Sequence, residues 1–258
     1  MSAPDKLRVA QAFSRAAHSY DSVADLQRRV GEQVLQQLPP MQPQTWVDIG
    51  CGTGYFSQRL REQFPAAFGV SLDIAEGMLQ HSRTLGRAEY CIAADAEHLP
   101  LRAESADLLF SSLAVQWCPH IEQVLDGAWR ALKPGGRLAV TTLCAGTLFE
   151  LRDSWQQVDD NVHVNRFRHE ADYQQAVAQQ PWHIECWQTH AVCEYFADLP
   201  SLTHSLRALG AQNKNPGRPD GLSSRERIRR LAAAYETFRQ PQGLPATYQV
   251  LYWVLRKP

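Results

Sequence analysis

A glycine-rich run begins two residues after Asp48 and contains Gly50, Gly52 and Gly54. It lies between a short apolar run and a helical pattern, which is where nucleotide-like ligands bind in sheets of alternating strands and helices. Glycines there let the backbone approach a ligand closely and adopt positive φ angles. A dinucleotide fingerprint requires glycine at the position of Tyr55, so a pyrophosphate ligand is not indicated. The run also lacks the lysine and hydroxyl residue of a phosphate-binding P-loop.

Two more acids occupy similar places further along the chain. Asp73 ends an alternating segment at residues 68–72, and Asp95 follows an apolar segment at residues 90–92. A carboxylate at the end of a strand is placed to accept two hydrogen bonds from a ribose diol, and such charged acceptors are strong and directional. Taken singly, Asp48 and Asp73 could instead cap helices, and Asp95 could be an exposed loop acid. Together with the glycine run, the three acids favour a ligand site.

The elements that must position these residues follow a regular alternation. Segments with strand periodicity alternate with segments of helical periodicity from residue 46 to residue 143. Such alternation is typical of an α/β fold with a parallel sheet and helices on both faces. The predicted strands are Trp46–Ile49, Phe68–Leu72, Tyr90–Ile92, Asp107–Phe110 and Arg137–Leu143, and the predicted helices lie at 56–64, around 78–79 and at 121–132.

A helical arm precedes this core. Residues 7–38 show helical spacing of apolar residues, with a break near Tyr20 and Asp21. Prolines at 39, 40 and 43 end the pattern, because proline removes a backbone donor and disfavours the helical region for the residue before it. We therefore predict an N-terminal helical arm over residues 1–40.

After residue 145 the alternation stops, and two helical segments surround an extended one before a final buried strand. We predict that all of this belongs to one domain with two helical insertions. The predicted positions are 41–258 for the domain, about 147–180 and 199–240 for the insertions, 184–196 for the extended segment and 247–255 for the last strand.

Length and composition indicate a globular protein. The chain has 258 residues, of which 44% are hydrophobic and 21% charged, and its formal net charge is −1. That charge argues against general nucleic-acid binding, and no apolar run approaches the roughly 18 residues that a membrane helix needs. The six cysteines lack the spacing of a zinc site or a disulfide framework, so no metal is predicted. The first ten residues lack the pattern of a secretory signal, and we expect a cytoplasmic location.

Charge is distributed unevenly along the chain. Residues 202–258 contain ten Lys or Arg against three Asp or Glu, whereas residues 1–201 contain sixteen against twenty-four. Much of the positive charge belongs to the last predicted helix, for which Ser223 and Glu226 form a capping-box pattern. A basic segment of this kind can attract an acidic partner, although a solvated helix face is the more ordinary explanation.

The spacing acid-x-Gly-x-Gly-x-Gly resembles the first motif of class I S-adenosylmethionine-dependent methyltransferases. The resemblance implies a Rossmann-like fold with a mixed seven-stranded sheet, an antiparallel last strand and helical insertions that form a lid. It implies S-adenosylmethionine as cofactor, with Asp73 on the ribose and Asp95 on the adenine amino group. The cofactor-binding residues that it implies are Asp48, Gly50, Cys51, Gly52, Gly54, Asp73, Asp95, Ala96 and Ser111.

The segment after the fourth predicted strand narrows the class of methyl acceptor. In this family, enzymes that methylate adenine or amide nitrogens carry Asn/Asp-Pro-Pro-aromatic there, and those that form 5-methylcytosine carry a nucleophilic Pro-Cys. Here residues 112–117 read SLAVQW, and Cys118-Pro119 has the reversed order. We interpret the cysteine–proline pair as a helix boundary. Neither acceptor class is therefore indicated.

Several further segments resemble the malonyl-acyl-carrier-protein O-methyltransferases of biotin synthesis, over nearly the whole chain and including both insertions. These segments are residues 9–21, 26–28, 112–117, 146–155, 163–167, 206–211 and 247–252. The resemblance implies methylation of the free carboxyl group of malonyl-acyl carrier protein, or of malonyl-CoA, to the methyl ester. This is the entry step of pimeloyl synthesis for biotin.

The implied reaction needs no general base. A malonyl carboxyl group has a pKa of about 4, so it is already a deprotonated nucleophile at pH 7. The enzyme must orient this carboxylate in line with the sulfonium methyl group and exclude water from it. The absence of an evident catalytic base in the sequence is consistent with that demand.

Four residues are candidates for substrate contact. Arg152 could bind the malonyl carboxylate through two bonds, and Tyr20 could close over the sulfonium or the substrate. Trp117 could line an acyl tunnel, and His163 could bond the thioester. Each has an ordinary alternative: an exposed helix arginine for Arg152, core packing for the two aromatic residues and a structural role for the histidine.

Arginines of the basic C-terminal segment are candidates for docking the acidic carrier protein. They are Arg207, Arg225, Arg229 and Arg230, with Arg227, Lys214 and Arg218 close to them in sequence. Two other functions stay open: methylation of another small carboxylic acid or a quinone precursor, and a cofactor-binding regulator without transfer activity. We expect neither nucleic acid nor a membrane as a partner.

Overall fold

A computed structural model describes residues 5–210 and 225–258 of the chain. The strands are β1 (Thr45–Ile49), β2 (Phe68–Asp73), β3 (Cys91–Ala93), β4 (Ala106–Ser112), β5 (Leu132–Leu143), β6 (His183–Phe196) and β7 (Leu244–Arg256). The helices are α1 (Lys6–Tyr20), α2 (Asp25–Gln36), α3 (Tyr55–Gln63), α4 (Glu76–Thr84), α5 (Ile121–Ala131), α6 (Phe149–Gln156), α7 (Glu170–Val177), α8 (Leu199–Ala208) and α9 (Arg225–Glu236).

The strands form one mixed sheet in the order β3-β2-β1-β4-β5-β7-β6. Strands β1 to β5 pair in parallel, whereas β7 runs antiparallel to both β5 and β6. The predicted mixed sheet with an antiparallel last strand is therefore confirmed. Strand β5 starts at Leu132 rather than at the predicted Arg137, because Leu132 already pairs with Ala106 ahead of a register shift.

Alternating apolar residues make both faces of the sheet hydrophobic, and helices cover each face. Trp46, Leu108 and Phe110 point towards the layer that contains α2, α3, α6, α8 and α9. The intervening residues Val47 and Leu109 pack in the opposite layer with α5 and α7. Helices α6 and α7, which the sequence places in one insertion, thus lie on opposite faces, and the lid role of the insertions stays a prediction.

The N-terminal arm consists of two helices with the expected break between them. Asp5 caps α1 by accepting hydrogen bonds from the backbone N–H groups of Leu7 and Arg8. Helix α2 packs on the sheet, while α1 contacts α4, where the backbone N–H of Gly77 donates to Ser14 Oγ at 3.2 Å. This packing holds α1 beside the strand ends that carry the glycine run and the acids.

None of the helices within residues 5–210 and 225–258 combines the length and apolar character of a membrane-crossing segment. The expected cytoplasmic location stays a prediction. Ser223 of the predicted capping box, and Lys214 and Arg218, lie outside the described residues.

Candidate functional site

A pocket opens where β1, β2, β3 and β4 end. It lies where the strand order reverses between β1 and β4, the usual ligand position in such sheets. Helix α1, α4 and the loops after the four strands line it. The lining residues are Lys6, Val9, Phe13, Tyr20, Ile49, Gly50, Gly52, Leu72, Asp73, Ile74, Met78, Ala94, Asp95, Ala96, Ser112, Leu113, Ala114, Trp117 and Cys118.

The glycine loop turns tightly against β2 and presents its backbone to this pocket. The backbone N–H groups of Gly50 and Cys51 both donate to the carbonyl of Leu72, at 2.7 and 2.9 Å. Gly50 has a φ of +73°, and a Cβ on it would lie 2.3 Å from the Cβ of Ala114. Gly52 has a φ of +54°, with open space where its Cβ would be. A ligand can therefore approach the main chain here as closely as the sequence predicts.

Asp73 holds this loop in place and still has lone pairs that can accept further hydrogen bonds. Its Oδ2 accepts a hydrogen bond from Gly52 N–H at 2.8 Å, and its Oδ1 accepts one from Ala75 N–H at 2.7 Å. Burial raises the pKa of Asp73 above its usual value, and these backbone N–H groups oppose that rise. Each carboxylate oxygen has a second lone pair, so the group fits a pair of ligand hydroxyls.

Asp95 lies at another side of the pocket and is bonded to the arm. Its Oδ1 accepts a hydrogen bond from Glu97 N–H at 3.0 Å, and the ammonium group of Lys6 donates to its Oδ2 at 2.6 Å. Burial alone would raise the pKa of Asp95, but these two bonds, together with the charge of Lys6 and the nearby His98 ring, bring the pKa below its usual value. The carboxylate is therefore a persistent anionic acceptor, as a ligand amino group requires.

Aromatic and apolar side chains complete the pocket. Phe13 meets the ring of Trp117 edge to face, with 5.5 Å between centroids, and the ring of Tyr20 at 6.5 Å. Burial raises the pKa of Tyr20, and the nearby carboxylates of Asp73 and Asp21 add to that rise, so its hydroxyl stays protonated. The pocket thus combines acceptors for hydroxyl and amino groups with flat apolar walls, which fits the nucleoside of the predicted cofactor.

Four of the nine predicted cofactor residues lie behind the pocket wall instead of on it. Asp48 accepts a hydrogen bond from Ser57 Oγ at 2.7 Å, and Ser111 donates to the carbonyl of Ile49 at 2.8 Å. Cys51 and Gly54 contribute to the turn of the loop, where Gly54 N–H donates to the carbonyl of Cys51 at 2.9 Å. Their placement supports a role in shaping the loop and gives no support to direct contact with a cofactor.

Asp48 should make stability depend on pH, because burial raises its pKa to about 7. The native state then holds a proton that the unfolded chain releases near pH 4, so stability falls as pH rises from about 4 to 7. Between pH 5 and pH 8, we expect the native protein to lose about 2 to 3 kcal/mol of unfolding free energy relative to Asp48→Asn. Urea titrations of both proteins at the two pH values measure this difference.

The control for this prediction is Ser57→Ala, which removes the hydrogen bond that lowers the pKa of Asp48. We expect this variant to shift the pH-dependent loss of stability to higher pH. A difference between the native protein and Asp48→Asn that is the same at pH 5 and pH 8 would contradict the assignment.

The four predicted substrate residues divide into two pairs. Tyr20 and Trp117 line the pocket. Arg152 is half exposed and pairs with its neighbour Asp153 at 2.8 Å, as the ordinary alternative in the sequence interpretation had it. His163 stacks on Trp155, with 3.5 Å between ring centroids, and lies outside the lining as well. The structure therefore does not bring Arg152 or His163 to the pocket, and their role in substrate binding stays a prediction.

Sequence reasoning missed two features of the site. Lys6 and Met78 line the pocket although neither belongs to a recognisable motif. Asp21, after the predicted break, accepts hydrogen bonds from Thr53 Oγ1 at 2.7 Å and from Arg87 at 2.5 Å, and so ties the arm to the glycine loop. Only the Tyr20-Asp21 pair gave a signal, as part of a segment with family resemblance.

The predicted docking arginines are exposed where the structure describes them. Arg207 lies on α8, and Arg225, Arg229 and Arg230 lie on α9, which packs against α6. Arg229 pairs with Glu226 at 3.0 Å, and Arg230 donates to the carbonyl of Gln157 at 2.7 Å. These helices thus offer positive charge to solvent on the face of the sheet that α6 also covers.

Similarity to known proteins shows which family the chain belongs to. A family model described as a methyltransferase domain matches residues 47–140, from β1 into β5. A malonyl-acyl-carrier-protein O-methyltransferase of Hamiltonella defensa subsp. Acyrthosiphon pisum (strain 5AT) is 40% identical over 252 residues, which cover 97% of this chain and 95% of that protein. The biotin biosynthesis bifunctional protein BioHC of Cellvibrio japonicus (strain Ueda107) is 48% identical over 258 residues.

That alignment covers 99% of this chain but 51% of the bifunctional protein, so the chain spans about half the length of this relative. Among solved structures, a putative methyltransferase from Bacillus halodurans C-125 superposes with a TM-score of 0.63 at 16% identity, covering 88% of this chain and 98% of that one. The Rossmann-like methyltransferase fold is therefore confirmed. Since the identity to the Hamiltonella protein extends over nearly the full length of both chains, the chain belongs to the malonyl-acyl-carrier-protein O-methyltransferase family.

Proposed function

We propose that the protein transfers a methyl group from S-adenosylmethionine to the free carboxyl group of a malonyl thioester carried by acyl carrier protein. The observation that carries this proposal is the 40% identity to a relative of that name, over 97% of this chain. The bifunctional relative, whose name also refers to biotin biosynthesis, is 48% identical over 99% of this chain.

The residues of the pocket fit the methyl donor. In this proposal Asp73 accepts hydrogen bonds from the ribose hydroxyls and Asp95 accepts one from the adenine amino group. The backbone of Gly50 and Gly52 contacts the amino-acid part, and all four residues line the pocket. When bound, S-adenosylmethionine supplies an electrophilic methyl group on a positively charged sulfur. Ala96, which follows Asp95 in the lining, contacts the base in this proposal.

The chain's own contribution to the reaction is to place and dehydrate a carboxylate that is already a nucleophile. Tyr20 lies in the pocket near Asp73. Its protonated hydroxyl is available to donate a hydrogen bond to the malonyl carboxylate. Phe13 and Trp117 exclude water beside it, which removes the hydration that weakens a carboxylate as a nucleophile. Orientation of this kind lowers the barrier without any proton transfer.

A direct test supplies purified protein with cofactor labelled on the methyl group and with one of three acceptors: malonyl-acyl carrier protein, malonyl-CoA or a quinone precursor. We expect base-labile label on the malonyl group, because a methyl ester hydrolyses in alkali. Stable label on the quinone precursor would instead support the alternative methyltransferase function. If the protein binds the cofactor but labels none of the acceptors, the result would support a cofactor-binding regulator without transfer activity.

We also propose that exposed arginines of α9 dock the carrier protein. The double variant Arg225→Glu/Arg229→Glu should raise the KM for malonyl-acyl carrier protein by about tenfold, since rim charges steer association with an acidic partner. The KM for malonyl-CoA should stay unchanged. Arg230 is left intact because its bond to the Gln157 carbonyl supports the fold.

The matched control for docking is Arg15→Glu/Arg102→Glu, which reverses two exposed charges, one on α1 and one in the loop before β4. It should leave both KM values as they are. Equal increases for the two thioesters in the α9 variant would show that the arginines act on the pocket or the fold and not on the carrier protein.

A further inference from the structure

Lys6 is the first residue of α1 and the one basic side chain among the described residues that line the pocket. Both the backbone and the side chain of Lys6 are held in place. Asp5 caps the helix by accepting hydrogen bonds from the next two backbone N–H groups, and the side chain reaches across the pocket wall to the loop after β3. The contact joins residues 89 positions apart in the chain.

The ammonium group of Lys6 bonds two carboxylates at once. It donates to Asp95 Oδ2 at 2.6 Å and to Glu97 Oε2. The Glu97 side chain is 2% exposed, and its other oxygen accepts a hydrogen bond from the backbone N–H of His120. Glu97 is thus a buried anion with Lys6 as its cationic partner, and such anions are costly to leave uncompensated.

Lys6 does not use up the acceptor capacity of Asp95. A carboxylate offers about four lone-pair positions, and the Asp95 side chain accepts from Lys6 and from Glu97 N–H, with His98 Nδ1 at 3.6 Å from Oδ2 as a third neighbour. Burial lowers the pKa of Lys6, but its bonds to the two acids outweigh this and bring the pKa above its usual value, so the cation persists. A ligand amino group can therefore bond Asp95 while Lys6 holds it.

The same bond fixes a wall of the pocket. Lys6, Val9, Phe13 and Tyr20 all line the pocket from α1, at spacings that place them along one side of the helix. On its other sides α1 packs against α4 and against α8, where Ser19 Oγ donates to the carbonyl of Ala208. Among the described residues, Lys6 is the residue of the first turn of α1 that makes ion pairs with the side of the pocket that contains Asp95.

We propose that Lys6 is a positioning residue for the adenine end of the cofactor. It orients the Asp95 carboxylate, neutralises Glu97 beside it, and holds the first turn of α1 against the bound base. The proposal rests on the proposed function in so far as it takes S-adenosylmethionine as the ligand. It adds a residue from the arm to the base-recognition site that the motif residues define.

Calorimetry with S-adenosylhomocysteine, the demethylated product, tests this assignment without relying on turnover. Lys6→Met should weaken its binding by about tenfold, the effect of losing hydrogen bonds to charged groups. The KM for S-adenosylmethionine should rise by the same factor, with kcat at saturating cofactor within about twofold of the native value. Lys6→Arg, which keeps a cation with several donors, should restore binding to within a few-fold.

The matched control is Arg8→Met, which removes a cation from the same helical turn, where the side chain is mostly exposed and pairs only with the cap residue Asp5 among the described residues. It should bind as the native protein does. Hydrogen exchange of residues 6–13 should slow on ligand binding in the native protein and in Arg8→Met, but much less in Lys6→Met.

Native binding and native exchange in Lys6→Met would overturn the assignment, and so would tighter binding, since Lys6 would then compete with the ligand for Asp95. Failure of the native protein itself to bind S-adenosylhomocysteine would instead overturn the proposed function. The two failures are distinguishable because the native protein is measured first.

Discussion

Replacing Asp73 by alanine should weaken the binding of S-adenosylhomocysteine by at least about 100-fold, because the two proposed charge-assisted hydrogen bonds with the ribose would each be worth about 1.5 to 3 kcal/mol. We expect this loss of affinity to exceed that caused by removing a residue that only contacts the ligand. Asp73 also fixes the glycine loop through Gly52 N–H, so the variant removes a ligand acceptor and loosens the backbone opposite it. Calorimetry measures the affinity, and circular dichroism verifies the fold.

Two variants sharpen the Asp73 experiment. Asp73→Asn keeps the shape and one acceptor oxygen, and we expect its affinity to lie between those of the native protein and the alanine variant. Asp25→Asn removes an exposed carboxylate from the start of α2 and should leave affinity unchanged. Native affinity in Asp73→Ala would exclude the ribose assignment and with it the cofactor geometry proposed above.

Gly50→Ala should disturb both the fold and the site. At a φ of +73° a side chain costs about 1 to 2 kcal/mol, and the added Cβ would lie 2.3 Å from that of Ala114, so the loop after β1 or the loop after β4 must shift. We expect a melting temperature several degrees lower, and no detectable cofactor binding, since both loops line the pocket.

Gly52→Ala provides the comparison. Its Cβ would meet no atom within 4 Å, so only the positive φ is unfavourable for folding, at about 1 to 2 kcal/mol. We expect Gly52→Ala to unfold at a higher temperature than Gly50→Ala and to bind the cofactor poorly, because Gly52 lines the pocket. Thermal unfolding and calorimetry separate the two effects. Equal melting temperatures would contradict the clash with Ala114.

The architecture was predictable because each element carries its own pattern. The apolar run before Gly50 and the alternating segment that ends at Asp73 became β1 and β2, and the prolines after residue 38 ended the arm. Gly50, Gly52, Asp73, Asp95 and Ala96 line the pocket, since strand ends and the loops after them are set by local sequence, and their contact with a cofactor stays a prediction.

The parts that could not be predicted depend on contacts between distant segments. Asp48 belongs to the same motif as Gly50, yet its side chain turns inward to Ser57, which only the packing of α3 on β1 decides. Lys6 meets Asp95 across 89 positions, and no local pattern marks such a pair. Arg152 is a chemically suitable carboxylate ligand whose helix places it in solvent beside Asp153.

The bonds from Thr53 and Arg87 to Asp21 bear on where the smallest useful fragment of this protein begins. The stretch that matches the general methyltransferase family starts at residue 47, which suggests that everything before it is dispensable. A chain that begins at residue 47 would lack Asp21, whose carboxylate bonds Thr53 of the glycine loop. It would also lack four side chains that line the pocket. Shortened versions for crystallisation or inhibitor screening should therefore retain the chain from Asp5 onward.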